Sequence, residues 1–135
     1  MKRSSTPTDQ EYAEAAALRE AVRTFQRRSE AVTSAHGLTS RTYQLLLMIK
    51  TSRAGGGSVG LTELEERLQL GKSTVTELVL RTEERGLVRR ELDRTRPRGI
   101  AIRLTPAGER RLERVVHDLG DERNNLLEAL GELQN

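Results

Sequence analysis

The sequence contains no cysteine and no tryptophan, and its only aromatic residues are Tyr12, Phe25 and Tyr43. Without cysteine there are no disulfides, no thiolate metal centres and no thiol redox sensor. Histidine is nearly as scarce, with only His36 and His117. Two isolated imidazoles fall short of the clustered ligands that zinc takes, so no metal or other cofactor is expected. No apolar run approaches the ~18 residues of a membrane span; the longest covers residues 45–49. The charged N-terminus is followed by no apolar stretch, which argues against a secretory signal. Residues 1–8 read as a disordered tail, and the expected compartment is the cytoplasm, on the nucleoid. With so few aromatic anchors, the core has to be built from Leu, Val, Ile and Ala.

Catalytic signatures are also missing. There is no nucleophile elbow and no clustered acid–base set, so an enzyme is not expected. Gly55-x-Gly57-x-x-Gly60 has the glycine spacing of a dinucleotide fingerprint, but no convincing strand precedes it. Gly71-Lys72-Ser73 resembles the end of a phosphate-binding loop, yet the position of the required first glycine holds Glu66.

Charge is present, and it is unevenly spread. Residues 85–103 carry seven arginines against Glu91 and Asp93, a local excess of five positive charges on a chain whose net charge is +3. The remainder is slightly acidic. A basic patch on a near-neutral body suits phosphate binding.

Hydrophobic periodicity outlines a mainly α-helical chain with a small β-wing. Residues 9–36 read as a helix with Leu18, Val22, Phe25 and Val32 on one stripe, stopped by Gly37. Thr39 or Ser40 caps a second helix carrying Tyr43, Leu46 and Leu47. After a glycine-rich loop and a very short strand at 58–60, Thr62-x-x-Glu65 has the form of a capping box. The helix it opens buries Leu64 and Leu68. A second short helix, 72–85, follows at once, with Val75, Leu78 and Val79 inward and Gly86 as its stop. Two short helices joined by a tight turn form a helix-turn-helix. Residues 87–104 alternate at their flanks and are turn-like in the middle, which describes a hairpin wing. Thr105-Pro106 then opens a long C-terminal helix, 105–135, that Gly120 bends or splits.

The winged unit, residues 37–104, is too small to cover both long flanking helices. Leu18 and Val22 on the first, and Leu119, Leu126, Leu130 and Leu133 on the last, would each forgo roughly 1.5–3 kcal/mol if left in water. Pairing with a second copy removes that cost, so these residues are the expected dimer interface; the alternative is that the two helices cover each other in a monomer. On the helix 72–85, the inward face leaves Lys72, Ser73, Thr74, Thr76, Glu77 and Arg81 outward. Lys72, Ser73 and the helix N-terminus suit phosphate. Thr76 suits a base edge, Arg81 a guanine or a phosphate, and Glu77 either accepts from cytosine or repels phosphate. Ser73 has a second reading, as a helix cap. Arg94, Arg96 and Arg98 lie nearest the wing tip, where arginine suits a narrow minor groove.

The segment from Leu61 through Ser73-Thr74-Val75-Thr76 and Glu83-Glu84-Arg85-Gly86-Leu87-Val88 to Leu104-Thr105-Pro106-Ala107-Gly108 resembles the multiple antibiotic resistance regulator (MarR) family. The order and spacing of these pieces carry the likeness, which covers residues 31–112. It implies a triangular homodimer joined by its first and last helices, with residues 72–85 in the major groove of double-stranded DNA and each wing near a minor groove. It further implies a repressor on a palindromic operator, released by a small anionic or aromatic effector in a cleft near Phe25, His36, Arg41, Tyr43 and His117. One departure concerns the wing. The family's usual Asp, two residues before a wing arginine, is replaced by Arg96, so the usual brace is missing and Asp93 is the candidate substitute. The competing reading, from another class, is a winged-helix protein–protein adaptor that binds no specific DNA.

Overall fold

Helix α1 (Asp9–Ala35) begins at a capping box in which Thr8 Oγ1 accepts from the Glu11 N–H at 3.1 Å and the Glu11 carboxylate accepts from the Thr8 N–H at 3.3 Å. It stops at His36 and Gly37, where the chain turns with φ +73° and the Leu38 N–H returns to the Thr33 carbonyl at 2.9 Å. Thr39 then caps α2 (Ser40–Lys50) by accepting from the Thr42 N–H. The computed structural model describes residues 6–134. Most of the expected tail, residues 1–5, and the last residue of the expected C-terminal helix lie outside the described residues.

Strand β1 (Ser58–Val59) leads directly into α3 (Leu61–Leu68). The expected capping box at Thr62 does not form. The helix starts two residues earlier, with Gly60 as N-cap and no side-chain cap. Pairing of β1 with its neighbouring strand sets that entry point, and the Glu65 carboxylate is taken by Arg98 instead. Gln69 ends α3 in the left-handed conformation, with φ 56°, and after Leu70 and Gly71 the chain enters α4 (Lys72–Glu84).

The wing is a hairpin of β2 (Val88–Leu92) and β3 (Ile100–Leu104), paired antiparallel with Arg90 opposite Ile102. With β1 it makes a three-stranded sheet in the order β1-β3-β2. The middle strand buries Ala101 and Ile102, and Ile102 packs into the core. Thr105 caps α5 (Pro106–Asp118), with proline in its first turn. The C-terminal segment is split at Leu119, beside the Gly120 expected to bend or split it, and α6 (Gly120–Gln134) follows.

The core belongs to the winged lobe. Leu45, Leu46, Ile49, Leu64, Val75, Val88, Ile102 and Val115 are all buried within it. Leu119, expected at the dimer interface, is also there and only 3% exposed. It is therefore corrected to a core residue: the stripe Leu112, Val115, Leu119 turns toward the chain's own lobe before the helix breaks. By contrast α6 contributes no buried residue and α1 only Thr33. Those two helices pack against each other and leave Tyr12, Leu18 and Leu127 in solvent. Among the described residues, no helix is long and apolar enough to cross a membrane, and no group of three His, Asp or Glu side chains is placed to hold a metal.

Candidate nucleic-acid interface

Helix α4 is anchored by one face. Val75, Val79 and Thr82 are buried, and the Thr82 hydroxyl is satisfied by the Leu78 carbonyl at 2.7 Å. The opposite face carries exposed Lys72, Ser73, Thr76, Glu77 and Arg81, with Thr74 half-buried. The N-cap is Gly71, and no side chain caps the helix. Ser73 therefore does not serve as the cap, and the first-turn N–H groups keep their capacity for an external anion. Arg81 pairs with Glu77 one turn earlier, at an exposed position where such pairs exchange at little cost.

The wing arginines have very different surroundings. Arg96 folds back beneath the hairpin. Its Nη2 donates to the backbone carbonyl and to the hydroxyl of Ser58, each at 3.2 Å. Its Nε lies 3.3 Å from Asp93 Oδ2, an ion-pair distance without hydrogen-bond alignment. Arg98 pairs with Glu65 on α3. Asp93 also accepts from the hydroxyl of Thr95 at 2.6 Å and from its N–H at 3.0 Å. These two bonds, helped by the charge of Arg96, hold the Asp93 carboxyl below its ordinary value. On the hairpin arms, Arg89 and Arg103 share Glu91, Arg90 pairs with Glu83, and Arg85 donates to the Gly37 carbonyl. Unlike the other arginines of residues 85–103, Arg94 has neither a carboxylate nor a backbone carbonyl as partner among the described residues, and it is exposed.

The residues expected around an effector do not converge. Phe25 lines a groove of about 310 Å³ between α1 and α6, with Ala21 and Leu126. His36 and His117 sit elsewhere, in a groove of about 350 Å³ with Glu113, Arg114 and Asp118. Arg41 is exposed on α2. Tyr43 is half-buried against the core, and burial raises its phenol above the ordinary value.

Asp118 is a junction between α1 and α5. It accepts from His36 Nε2 at 2.7 Å and lies 3.2 Å from His117 Nδ1, and the His117 and His36 contacts together lower its carboxyl from the ordinary 3.8. A carboxyl lowered on folding stabilises the fold above its unfolded value and loses that contribution as pH falls through the folded one. Asp118→Asn is therefore expected to be less stable than the parent by a small amount above pH 3.8. The two urea midpoints should converge below that pH. A gap that persists in strong acid would show that the loss is steric rather than ionic.

Sequence reasoning missed Ser58 and Glu65. Both were within sight, but nothing local marks a partner lying 38 or 33 residues away.

A sequence model of the MarR family matches residues 36–99, which span the helix-turn-helix and most of the wing. Among solved structures, the chain is similar to AbsC, a MarR family transcriptional regulator from Streptomyces coelicolor. The two share 25% identity over 98% of this chain and 90% of that one, with a TM-score of 0.79. Residues 36–99 are thus similar to the MarR family, and the fold is that of its regulators. A MarR family protein from Bacillus stearothermophilus is also similar, at 27% identity over 91% of this chain and 84% of that one, with a TM-score of 0.74. Wild-type MarR from E. coli, in its apo form, shares 20% identity over 82% of this chain and 80% of that one, with a TM-score of 0.70. No curated protein matches significantly. The MarR family comprises transcription regulators rather than enzymes, and its winged-helix fold supports DNA-binding transcription regulation.

Proposed function

We propose that the chain is a homodimeric, sequence-specific repressor acting on a palindromic operator in the cytoplasm, at the nucleoid. The observation that carries this reading is the outward face of α4, where an uncapped N-terminus beside Lys72 and Ser73 stands next to Thr76 and Arg81. That arrangement suits phosphate at the helix start and base edges one turn on. The apolar residues left in solvent on α1 and α6 support dimerisation through those helices, and Leu18, Val22, Leu126, Leu130 and Leu133 remain the proposed contacts. Twofold symmetry then calls for half-sites about one helical turn apart. Release by a small anionic or aromatic effector completes the proposal. It requires a ligand that binds one arrangement of the two lobes more tightly than the other.

The internal pairing of most wing arginines is the observation that favours the second reading, a winged-helix adaptor. Salt separates the two. Lys72 and Arg94 are cations without a carboxylate partner among the described residues. Two such cations per lobe should make a dimer's affinity for duplex DNA fall at least about 100-fold between ~50 and ~200 mM salt. An adaptor should show no such dependence. Selection of bound sequences from random duplex DNA tests the specific claim. Enrichment of a palindrome is expected, relaxed at one position per half-site in Arg81→Ala, where a lost bidentate contact is worth about 1–3 kcal/mol. A pool that shows no enrichment would sink the repressor reading.

A further inference from the structure

We propose that Arg94 is the single wing cation presented to the minor groove, and that Arg96, Ser58 and Glu65 are positioning residues that fix the wing against α3. This inference rests on the DNA-binding reading and refines it.

The three tip arginines are chemically alike and sterically very different. Arg96 is three-quarters buried, with its side chain 25% exposed. It lies across Gly60, where an added Cβ would stand 3.2 Å from its Cδ and 3.3 Å from its Nη1. The missing side chain at position 60 is thus the slot that admits it. Two oxygens of Ser58 and the Asp93 carboxylate face its guanidinium. Drawing it out to a phosphate would empty the slot and strand a carboxylate and two acceptors in a partly buried place. Arg98 is held by Glu65, whose side chain is only 15% exposed. Removing that arginine leaves a poorly solvated negative charge. Among the described residues, nothing comparable restrains Arg94. Its neighbour Asp93 is fixed by Thr95 and by a 2.8 Å bond from its own N–H to the Gly99 carbonyl. The Arg94 backbone is therefore ordered while its side chain is exposed. An ordered base with a free cation at its end suits insertion into a groove of focused negative potential.

These bonds also join three elements. Arg96 connects the tip to β1, and Arg98 connects it to α3, the helix packed against the reading helix α4. The angle between wing and reading helix is set by side chains that never meet DNA.

The test uses the full-length chain and a duplex from the random-sequence selection, with its outer flanks set to A/T or to G/C. Arg94→Ala should weaken binding to the A/T-flanked duplex about tenfold and reduce the salt slope by about two for the dimer, one phosphate-equivalent per lobe. Arg96→Ala and Glu65→Gln should keep the parent slope but lose the preference for A/T flanks, with faster amide exchange across residues 93–99. A lobe that is merely destabilised would weaken both duplexes equally, and that result overturns the positioning role. If the parent binds and Arg94→Ala matches it in slope and affinity, the wing assignment falls alone. If the parent binds no duplex in dilute buffer, the DNA-binding reading falls, and the wing assignment with it.

Discussion

Replacing Gly108 with alanine is expected to cost the winged lobe at least about 3 kcal/mol, the upper end of ordinary overpacking or beyond it. A Cβ at this position would stand 2.0 Å from the Leu87 carbonyl oxygen and 3.0 Å from its carbon. The obstacle is backbone, so no rotamer change relieves it. Nor is that backbone free to retreat. The Leu87 carbonyl accepts from the Thr105 N–H at 3.1 Å, and Leu87 and Val88 are both buried in the core. Thr105 fixes the other side, capping Gly108 N–H at 3.0 Å while donating to the Gly86 carbonyl at 2.5 Å. The end of α4, the start of the wing and the start of α5 therefore interlock at a point where only a hydrogen atom fits. Gly108 is helical and has no positive φ, so room rather than conformational freedom dictates glycine here. Urea unfolding at fixed protein concentration measures the effect. Gly131→Ala in α6, where an added Cβ meets nothing within 4 Å, is the control. That control should be neutral or stabilised by about 0.5–1 kcal/mol. Equal midpoints for Gly108→Ala and the parent would refute the interlock.

The sequence announced the helices better than it announced their partners. Val75 and Val79 sit four apart, and Gly37 and Gly86 stop helices at positive φ, so these features are carried by local spacing and local conformation. The mainly α fold with a small β-wing follows from such signals. Thr62 misled because a capping pattern depends on where the chain enters the helix, and here the pairing of Val59 with Ile102 decides that. Leu119 misled because a stripe of leucines says which residues share a face but not what covers it. The break before Gly120 gives the two halves of the C-terminal segment different neighbours. The wing was hardest. Arg94, Arg96 and Arg98 are indistinguishable by residue type and proximity to the tip. Beside the local Asp93, they differ through Glu65, Ser58 and Gly60, which the fold brings to them from far along the chain. Local charge was legible; its neutralisation by distant carboxylates was not.

Placing aspartate at both Leu18 and Leu130 is expected to yield a monomer that keeps its winged lobe but binds operator DNA about 10²–10⁴-fold more weakly, the advantage normally gained by linking two sites. The arms give little to the core. Helix α6 has no buried residue, and Leu18 on α1 is 42% exposed. Leu18, Leu130 and Leu133 instead line a groove of about 500 Å³ along the α1–α6 pair. Carboxylates there oppose any partner that would cover the groove, because desolvating an unpaired charge is costly. The lobe's own apolar contacts through Leu45, Leu64, Ile102 and Val115 are untouched, so its cooperative unfolding transition should persist. A monomeric lobe retains α4 and the wing, and with them a single half-site. What it loses is the second lobe held at a high effective concentration over the other half-site. Sedimentation gives the mass, urea melting gives the lobe, and titration of a palindromic duplex gives the affinity. A variant that remains dimeric with parental affinity would move the dimer interface off these helices. A parent that is itself monomeric would remove the twofold reading of the operator altogether.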